Sequence, residues 1–287
     1  MNLKIDLYKY CSEGTKIKEG MIAVSENVSL KLITFTPLQT NNNPAIVFIP
    51  GWISIIDGWK GVLVEMTKDF TIYYLETREK FSSRINGKVE FSIEAIGKDI
   101  VTLIRSLGLH DNDFILFGSS LGATSILDCS KNLPIKPKCL VLIGPNAEFR
   151  IPSSNVPFIK IFYTRLYILF KPYIKWYLRN FRLDLKNDYE QYEKYCRVLD
   201  FADPLKLKKA ALSVRNYSVW NVLDKIDYPC LILGAAKDKF HEPENLKRIV
   251  SLLKNSTFIE MNTNKDTHSN NVVWELRKYL SNLNERL

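Results

Sequence analysis

The stretch Phe114-Ile115-Leu116-Phe117-Gly118-Ser119-Ser120-Leu121-Gly122 joins an apolar run to a Gly-x-Ser-x-Gly pentapeptide. The apolar run predicts a buried strand, and the segment from Ala123 to Cys129 that follows predicts a helix. The two glycines permit a sharp turn between them, since a Cβ would clash where the chain doubles back. Such a turn holds its central side chain out at the carboxyl edge of a sheet, which predicts Ser120 as a nucleophile. An ordinary Gly- and Ser-rich loop is the alternative interpretation.

A serine hydroxyl is a poor nucleophile and needs a base, together with a third group that orients the base. His268 lies in a polar loop after the last apolar run and is the best candidate for the base. Asp238 follows the apolar run that ends at Leu233, so it is expected just past the end of a strand. We therefore predict the triad Ser120, Asp238 and His268, with Glu148 as the alternative acid because it also follows a strand-like run.

An acyl-transfer site also needs backbone N–H groups directed at the developing oxyanion. The amide of Leu121, directly after the nucleophile, is the first expected donor. The second is the amide of Trp52 in Pro50-Gly51-Trp52, which follows the strand-like run beginning at Ala45. The alternative is that Trp52 is a core aromatic whose amide has no such role.

Apolar, β-rich runs alternate with helix-like segments along most of the chain, which indicates a mostly parallel sheet covered on both faces. Segment 16–37 differs and predicts an antiparallel hairpin at the sheet edge. The strand predictions are Val28–Pro37, Ala45–Pro50, Thr71–Leu75, Asp113–Phe117, Cys139–Ile143, Cys230–Leu233 and Ser256–Met261. The clearest helix predictions are Ser92–Leu107 and Glu242–Leu253.

The alternation fails in segment 149–227, which we predict to be a helical cap inserted into a core formed by residues 1–148 and 228–287. Between Phe158 and Arg182 the cap sequence contains nine aromatic and six basic residues and no acidic residue. In one interpretation the aromatic side chains only pack on the core. In the other, four of them wall an acyl-binding channel and the basic residues favour weak peripheral contact with an anionic membrane. The four proposed channel residues are Phe158, Phe162, Tyr163 and Phe170.

Composition narrows the possible partners of the 287-residue chain. Its net charge of +9 and isoelectric point near 9.1 could suit nucleic acid, but no nucleic-acid-binding module accompanies the charge, so we expect no nucleic-acid partner. The three histidines are far apart and no Cys/His cluster has zinc-ligand spacing, so we expect no metal. The first residues contain no continuous apolar segment, and we expect a cytoplasmic protein.

With Pro50-Gly51-Trp52, the Ser120 pentapeptide, Asp238 and His268 in this order, nearly the whole chain resembles the α/β-hydrolase superfamily, in its esterase-like and lipase-like branch. The resemblance implies a mostly parallel eight-stranded sheet with a helical cap after the sixth strand. Two positions depart from the family pattern. Many relatives have His-Gly in place of Pro50-Gly51, and many have Gly in place of Thr267 before the catalytic histidine.

The triad and the resemblance together predict a serine hydrolase that cleaves an ester of an apolar acyl group without a cofactor. An acyltransferase or a thioesterase with the same triad is one alternative, because fold likeness does not choose among reactions of this kind. A non-catalytic ligand-binding protein on the same fold is the other.

Overall fold

The computed structural model describes residues 5–39, 41–149, 154–161, 164, 166–182, 189–235 and 243–285. Within them a nine-stranded sheet runs in the order β1-β2-β4-β3-β6-β7-β8-β9, and the short β5 pairs with β2. The strands are β1 Lys16–Ser25, β2 Val28–Thr36, β3 Ala45–Ile49, β4 Ile72–Leu75, β5 Arg84–Ile85, β6 Phe114–Ser119, β7 Cys139–Ile143, β8 Cys230–Ala235 and β9 Ser256–Met261.

The pairing of the strands confirms the predicted sheet. Strands β1 and β2 form the antiparallel hairpin, β2 also pairs antiparallel with β4, and every pair from β4 to β9 along the sheet is parallel. The seven strand predictions, together with the first strand of the predicted hairpin, correspond to eight of the nine strands. The ninth, β5, has only two residues, which is too short for any periodicity to reveal it.

The described helices are α1 Lys60–Met66, α2 Ile93–Ser106, α3 Leu121–Ser130, α4 Asn155–Ile161, α5 Leu166–Tyr177, α6 Tyr189–Phe201, α7 Pro204–Val214, α8 Pro243–Leu252 and α9 Asn271–Asn284. Local chemistry explains where two of them begin. The Ser92 hydroxyl accepts a hydrogen bond from the amide of Ala95 at the start of α2. Asp203 caps α7, and Pro204 occupies its first position, where no donor is needed.

The core lies on both faces of the sheet, because successive side chains of a strand point to opposite sides. In β3, Val47 and Ile49 join one buried cluster, which α2, α3 and α8 cover. Ile46 and Phe48 join the other, which α1 and α9 cover. The central strand β6 is buried along its whole length, so the chain that leads to Ser120 is fixed on both sides.

Helices α4 to α7 lie between β7 and β8, in the segment predicted to be an inserted cap. The two ends of this segment pair with each other: Glu148 and Ser218 form an antiparallel bridge, and the Val219 amide donates to the Ala147 carbonyl at 2.9 Å. This pairing supports an insertion, although the division into core and cap stays a prediction. No helix in the described part of the chain is long and apolar enough to cross a bilayer.

Gly122 stands where α3 meets the end of β3, and a Cβ at this position would lie 2.2 Å from the Ile49 carbonyl oxygen. We expect Gly122→Ala to lower the free energy of unfolding by about 3 kcal/mol or more, because backbone atoms must move to admit the methyl group. Thermal and urea denaturation would measure the loss.

Gly20 in β1 provides the matched control, since a Cβ there would meet no atom within 4 Å. Gly20→Ala should change stability by no more than about 0.5 kcal/mol. Equal stability of the Gly122 variant and the wild type would contradict the close approach of α3 to β3.

Candidate active site

Ser120 lies between the last residue of β6 and the first residue of α3, where the sequence predicts a nucleophile. Its backbone has φ 47° and ψ −114°, a left-handed conformation that costs a non-glycine residue free energy. The Ser120 amide donates to the Ile143 carbonyl at 2.9 Å, and the Thr124 amide donates to the Ser120 carbonyl at the same distance. The strained turn is therefore held by hydrogen bonds on both sides.

Glycines occur where the turn leaves no space for a side chain. A Cβ at Gly118 would lie 2.8 Å from backbone atoms of Ala123, within the turn itself. A Cβ at Gly51, in the turn after β3, would lie 3.3 Å from the Ser120 Cβ. The turn after β3 and the turn after β6 are thus in van der Waals contact, as an oxyanion site built from both requires.

The two predicted oxyanion donors are the backbone amides of Leu121 and Trp52. Leu121 is the first residue of α3, so its amide is at the helix N-terminus, where backbone N–H groups lack intrahelical partners. Trp52 follows Gly51, and its half-buried side chain packs against the core cluster on the α2 and α3 side. Its indole N–H is buried and has no hydrogen-bond partner among the described residues. The role of both amides stays a prediction.

Asn146 contacts the nucleophile and was not predicted as a site residue. Its side-chain amide donates to Ser120 Oγ at 3.2 Å. Its backbone is held by Thr124, whose hydroxyl donates to the Asn146 carbonyl at 2.8 Å and accepts from the Asn146 amide at 3.1 Å. Asn146 follows β7, the neighbour of β6, so a polar residue just past the end of an adjacent parallel strand was the signal that could have revealed it.

His268 ends a short 3₁₀ turn, Asp266–His268, between β9 and α9. Its Nδ1 atom is 3.1 Å from the Asn264 carbonyl oxygen and 3.0 Å from the Thr267 hydroxyl. The buried Thr267 hydroxyl also donates to the Asn264 carbonyl, so the threonine that departs from the family pattern is part of the loop's hydrogen bonding. In the tautomer that carries its proton on Nδ1, the Nε2 lone pair can accept a proton.

Trp59 links His268 to the turn after β3. Its ring packs on the His268 imidazole with centroids 4.4 Å apart, and its indole N–H donates to the Ser54 hydroxyl at 2.9 Å. The Ser54 amide in turn donates to the Gly51 carbonyl at 3.2 Å. One chain of contacts therefore runs from the imidazole to the glycine that touches Ser120.

Asp238 and Glu148 are the two predicted candidates for the acid. Asp238 lies outside the described residues. The carboxylate of its rival Glu148 accepts a hydrogen bond from the Trp220 indole at 2.5 Å, and the Arg248 guanidinium stacks over that indole ring at 4.2 Å. Asp266, close to His268 in sequence, instead accepts two hydrogen bonds from Thr263 within its own loop.

Of the four predicted channel residues, only the side chain of Phe170 is described. It lies on α5 and is 49% exposed. Phe162, Tyr163 and the side chain of Phe158 lie outside the described residues. Three further apolar or aromatic residues of α5 are at least half exposed, namely Leu169, Tyr173 and Trp176. This face of α5 is therefore not packed on the core.

In the described part of the chain, no group of three or more His, Cys, Asp or Glu side chains is placed to hold a metal ion. The Ser120 hydroxyl instead lies next to the Leu121 amide at the start of α3, and contacts through Trp59, Ser54 and Gly51 connect its turn to the His268 imidazole. A hydroxyl, an imidazole and backbone amides are the groups used in nucleophilic catalysis by a serine.

No protein-family model matches the chain, and no curated protein is similar to it in sequence. Solved structures do match. The enol-lactonase from Burkholderia xenovorans LB400 has a TM-score of 0.73 at 13% identity, covering 92% of this chain and 99% of that one. An esterase from Exiguobacterium antarcticum has a TM-score of 0.70 at 14% identity, covering 93% and 100%.

A thermophilic esterase from Thermogutta terrifontis matches with a TM-score of 0.68 at 17% identity, covering 93% of this chain and 99% of that one. At such identities the likeness concerns the fold, and it extends over nearly the full length of each structure. Together with the sheet order and the turn at Ser120, it shows that this chain has the fold of the α/β-hydrolase superfamily.

Proposed function

We propose that this protein is a serine hydrolase that cleaves a carboxylic ester of an apolar acyl group. The main support for this proposal is the strained backbone of Ser120 at the junction of β6 and α3. A fold tolerates a non-glycine residue in this conformation when the surrounding structure compensates, and such strain clusters at active sites. Here it turns the hydroxyl toward the carboxyl edge of the sheet, beside the turn after β3.

In the proposed reaction Ser120 Oγ attacks the ester carbonyl carbon while His268 takes the hydroxyl proton. The Leu121 and Trp52 amides stabilise the oxyanion of the tetrahedral intermediate. As the intermediate collapses, His268 returns the proton to the leaving alcohol and an acyl-enzyme remains on Ser120. A water molecule then repeats the attack with His268 as base, which releases the acid and regenerates the serine.

Asp238 is the proposed acid that orients His268, because it follows β8 and belongs to the strand immediately before the histidine loop. The contacts of Glu148 support this choice, since its carboxylate already accepts the Trp220 indole N–H. Asn146 has a separate role: by donating to Ser120 Oγ it holds the resting hydroxyl in one rotamer.

We further propose that the substrate has an apolar acyl group and that the protein contacts an anionic lipid surface. Lys171 and Lys175 of α5 both form ion pairs with Asp200, at 3.5 and 2.8 Å. These pairs fix the lysine-bearing side of the helix and leave its aromatic side exposed. Tyr173 and Trp176 stack on that face with ring centroids 5.5 Å apart. Exposed aromatic rings in a basic segment are typical of a surface that enters a lipid headgroup layer.

The triad is tested first. Wild-type protein should react with a fluorophosphonate probe and hydrolyse p-nitrophenyl esters, whereas Ser120→Ala and His268→Ala should lose both reactions, because triad members act as a unit. Asp238→Asn should lower kcat by about 10⁴-fold, since the imidazole then takes the wrong tautomer. Intact-protein mass spectrometry and ester hydrolysis measure the two reactions.

Glu148→Gln is the matched control, and we expect it to leave kcat within about twofold of wild type, as for a residue outside the reacting groups. The reverse ranking of the two acid variants would reassign the acid. Folded wild-type protein that neither reacts with the probe nor cleaves any ester would favour the non-catalytic ligand-binding protein. Ester products formed with an added alcohol would favour the acyltransferase.

The acyl specificity is tested with a series of p-nitrophenyl esters from acetyl to dodecanoyl. We expect kcat/KM to rise by up to about fourfold per methylene, the equivalent of about 0.8 kcal/mol of apolar burial. Phe170→Ala should flatten the rise, whereas Leu169→Ala on the adjacent, more exposed position should not. A maximum at the acetyl ester would exclude an apolar channel.

Lipid contact is tested by co-sedimentation with vesicles of phosphatidylcholine and phosphatidylglycerol. Binding should require the anionic lipid and weaken as salt rises, because surface charges are screened over about 10 Å at 0.1 M salt. Trp176→Ser should reduce binding more than Trp274→Ser does, although the two tryptophans are 50% and 52% exposed. Equal binding by both variants, or to neutral vesicles, would contradict the assigned surface.

A further inference from the structure

A second set of polar side chains lies beside the active-site turn, in the segment that follows β4. Five residues of this segment are buried although all are polar or charged: Thr77, Arg78, Glu79, Lys80 and Ser83. Charged residues are rarely buried unless they are paired, so each of these side chains must have a specific partner. Because β3 and β4 are adjacent and parallel, their carboxyl ends lie at the same edge, which brings this segment against the turn after β3.

The Lys80 ammonium donates a hydrogen bond to the carbonyl oxygen of Gly51 at 2.6 Å. It also pairs with Glu79 Oε1 at 3.1 Å, and the two side chains are 8% and 1% exposed. Glu79 Oε1 in turn accepts a hydrogen bond from the Thr77 hydroxyl at 2.7 Å. A buried cation is thus held in place by its neighbour in sequence and directed at one backbone carbonyl.

That carbonyl belongs to the same peptide unit as the Trp52 N–H, the proposed oxyanion donor. The unit is planar and trans, so its C=O and N–H point in opposite directions. A cation on the oxygen therefore stands behind the N–H without blocking it. A hydrogen bond accepted by a carbonyl polarises the peptide and strengthens the hydrogen bond that its N–H donates, and the effect is larger where water is excluded.

We propose that Lys80 is a positioning residue that fixes and polarises the Gly51–Trp52 peptide for oxyanion stabilisation. The proposal rests on the proposed function, because it assigns a role within that reaction. Lys80 does not touch the substrate. It acts on transition-state stabilisation through the peptide, so its removal should lower kcat and leave KM nearly unchanged.

A second lysine, Lys206, makes it possible to distinguish the proposed role of Lys80 from structural support of the segment after β4. Lys206 of α7 donates to the carbonyls of Lys80, Phe81 and Ser83 at 3.0, 3.3 and 2.7 Å. Burial lowers the pKa of Lys206, while the nearby carboxylates of Asp203 and Glu79 favour its charged form. Lys206 therefore stabilises the same segment from the cap side, but it has no hydrogen bond to the Gly51 carbonyl.

The experiment compares Lys80→Met with Lys206→Met, two substitutions that remove an ammonium and keep an unbranched stem. We expect Lys80→Met to lower kcat by about 10- to 100-fold, less than the loss of a whole oxyanion donor, which is about 100- to 1,000-fold. Lys206→Met should lower the melting temperature and keep kcat within about threefold of wild type. Because Lys80→Met leaves the Glu79 carboxylate buried without its cation, the double variant Glu79→Gln/Lys80→Met is measured beside it, with the same fall in kcat expected.

The affinity for a trifluoromethyl ketone is a second measurement. It would not change specifically if Lys80 only stabilised the fold. Ser120 Oγ adds to the carbonyl carbon of the ketone, His268 takes the serine proton, and the ketone oxygen becomes an oxyanion. The ketone should bind to Lys80→Met more weakly by the same factor as the fall in kcat, whereas the corresponding alcohol, which forms no oxyanion, should bind as it does to wild type.

Three outcomes would overturn the proposal: unchanged kcat and ketone affinity in both Lys80 variants, an equal fall in Lys206→Met, or an equal loss of affinity for the alcohol. If wild-type protein is active and any of these holds, the proposed function stands and only the role of Lys80 fails. If wild-type protein neither cleaves esters nor forms the ketone adduct, both fail together.

Discussion

The structure depends on the contact between the end of β3 and the turn that carries Ser120. At Gly122 there is no room for even a methyl group beside the Ile49 carbonyl, and at Gly51 a methyl group would contact Ser120. The strained serine backbone costs of the order of 1–3 kcal/mol, which the buried strands and helices around it must offset. Because those strands are buried on both faces, the turn cannot relax without disturbing the core.

Buried charges organise the edge of the sheet around this contact. Arg78 forms two hydrogen bonds with Asp99 of α2, at 2.6 and 2.8 Å, while the adjacent Lys80 reaches the Gly51 carbonyl. Burial raises the pKa of Asp99, and the Arg78 guanidinium opposes that shift. A buried pair of this kind adds little net stability, but it fixes geometry, since either partner left alone would be a buried charge. The segment after β4 is thereby connected to α2 on one side and to the turn after β3 on the other.

The helices between β7 and β8 are connected to this same segment. Lys206 of α7 donates to three of its carbonyls, and Lys80 and Ala202 form a backbone bridge. A displacement of α7 would therefore shift the backbone around Lys80, which contacts the Gly51 carbonyl. At the other end of the inserted segment, α5 presents exposed aromatic rings while its lysines pair with Asp200. The inserted segment thus combines an exposed aromatic surface on α5 with a direct link, through Lys206, to the segment after β4.

The sequence by itself determined the main strands of a mostly parallel sheet, its antiparallel edge hairpin and the turn at Ser120. These features are encoded locally, in apolar runs of strand length and in glycines at positions that exclude a Cβ. It also placed His268 and Trp52 on the loops that meet at the edge. Tertiary structure alone decided that Asn146 donates to Ser120, that Trp59 packs on His268, and that Lys80 reaches Gly51 across 29 positions of sequence. Such contacts join residues far apart in the chain, and no periodicity or spacing records which side chains a folded sheet brings together at its edge.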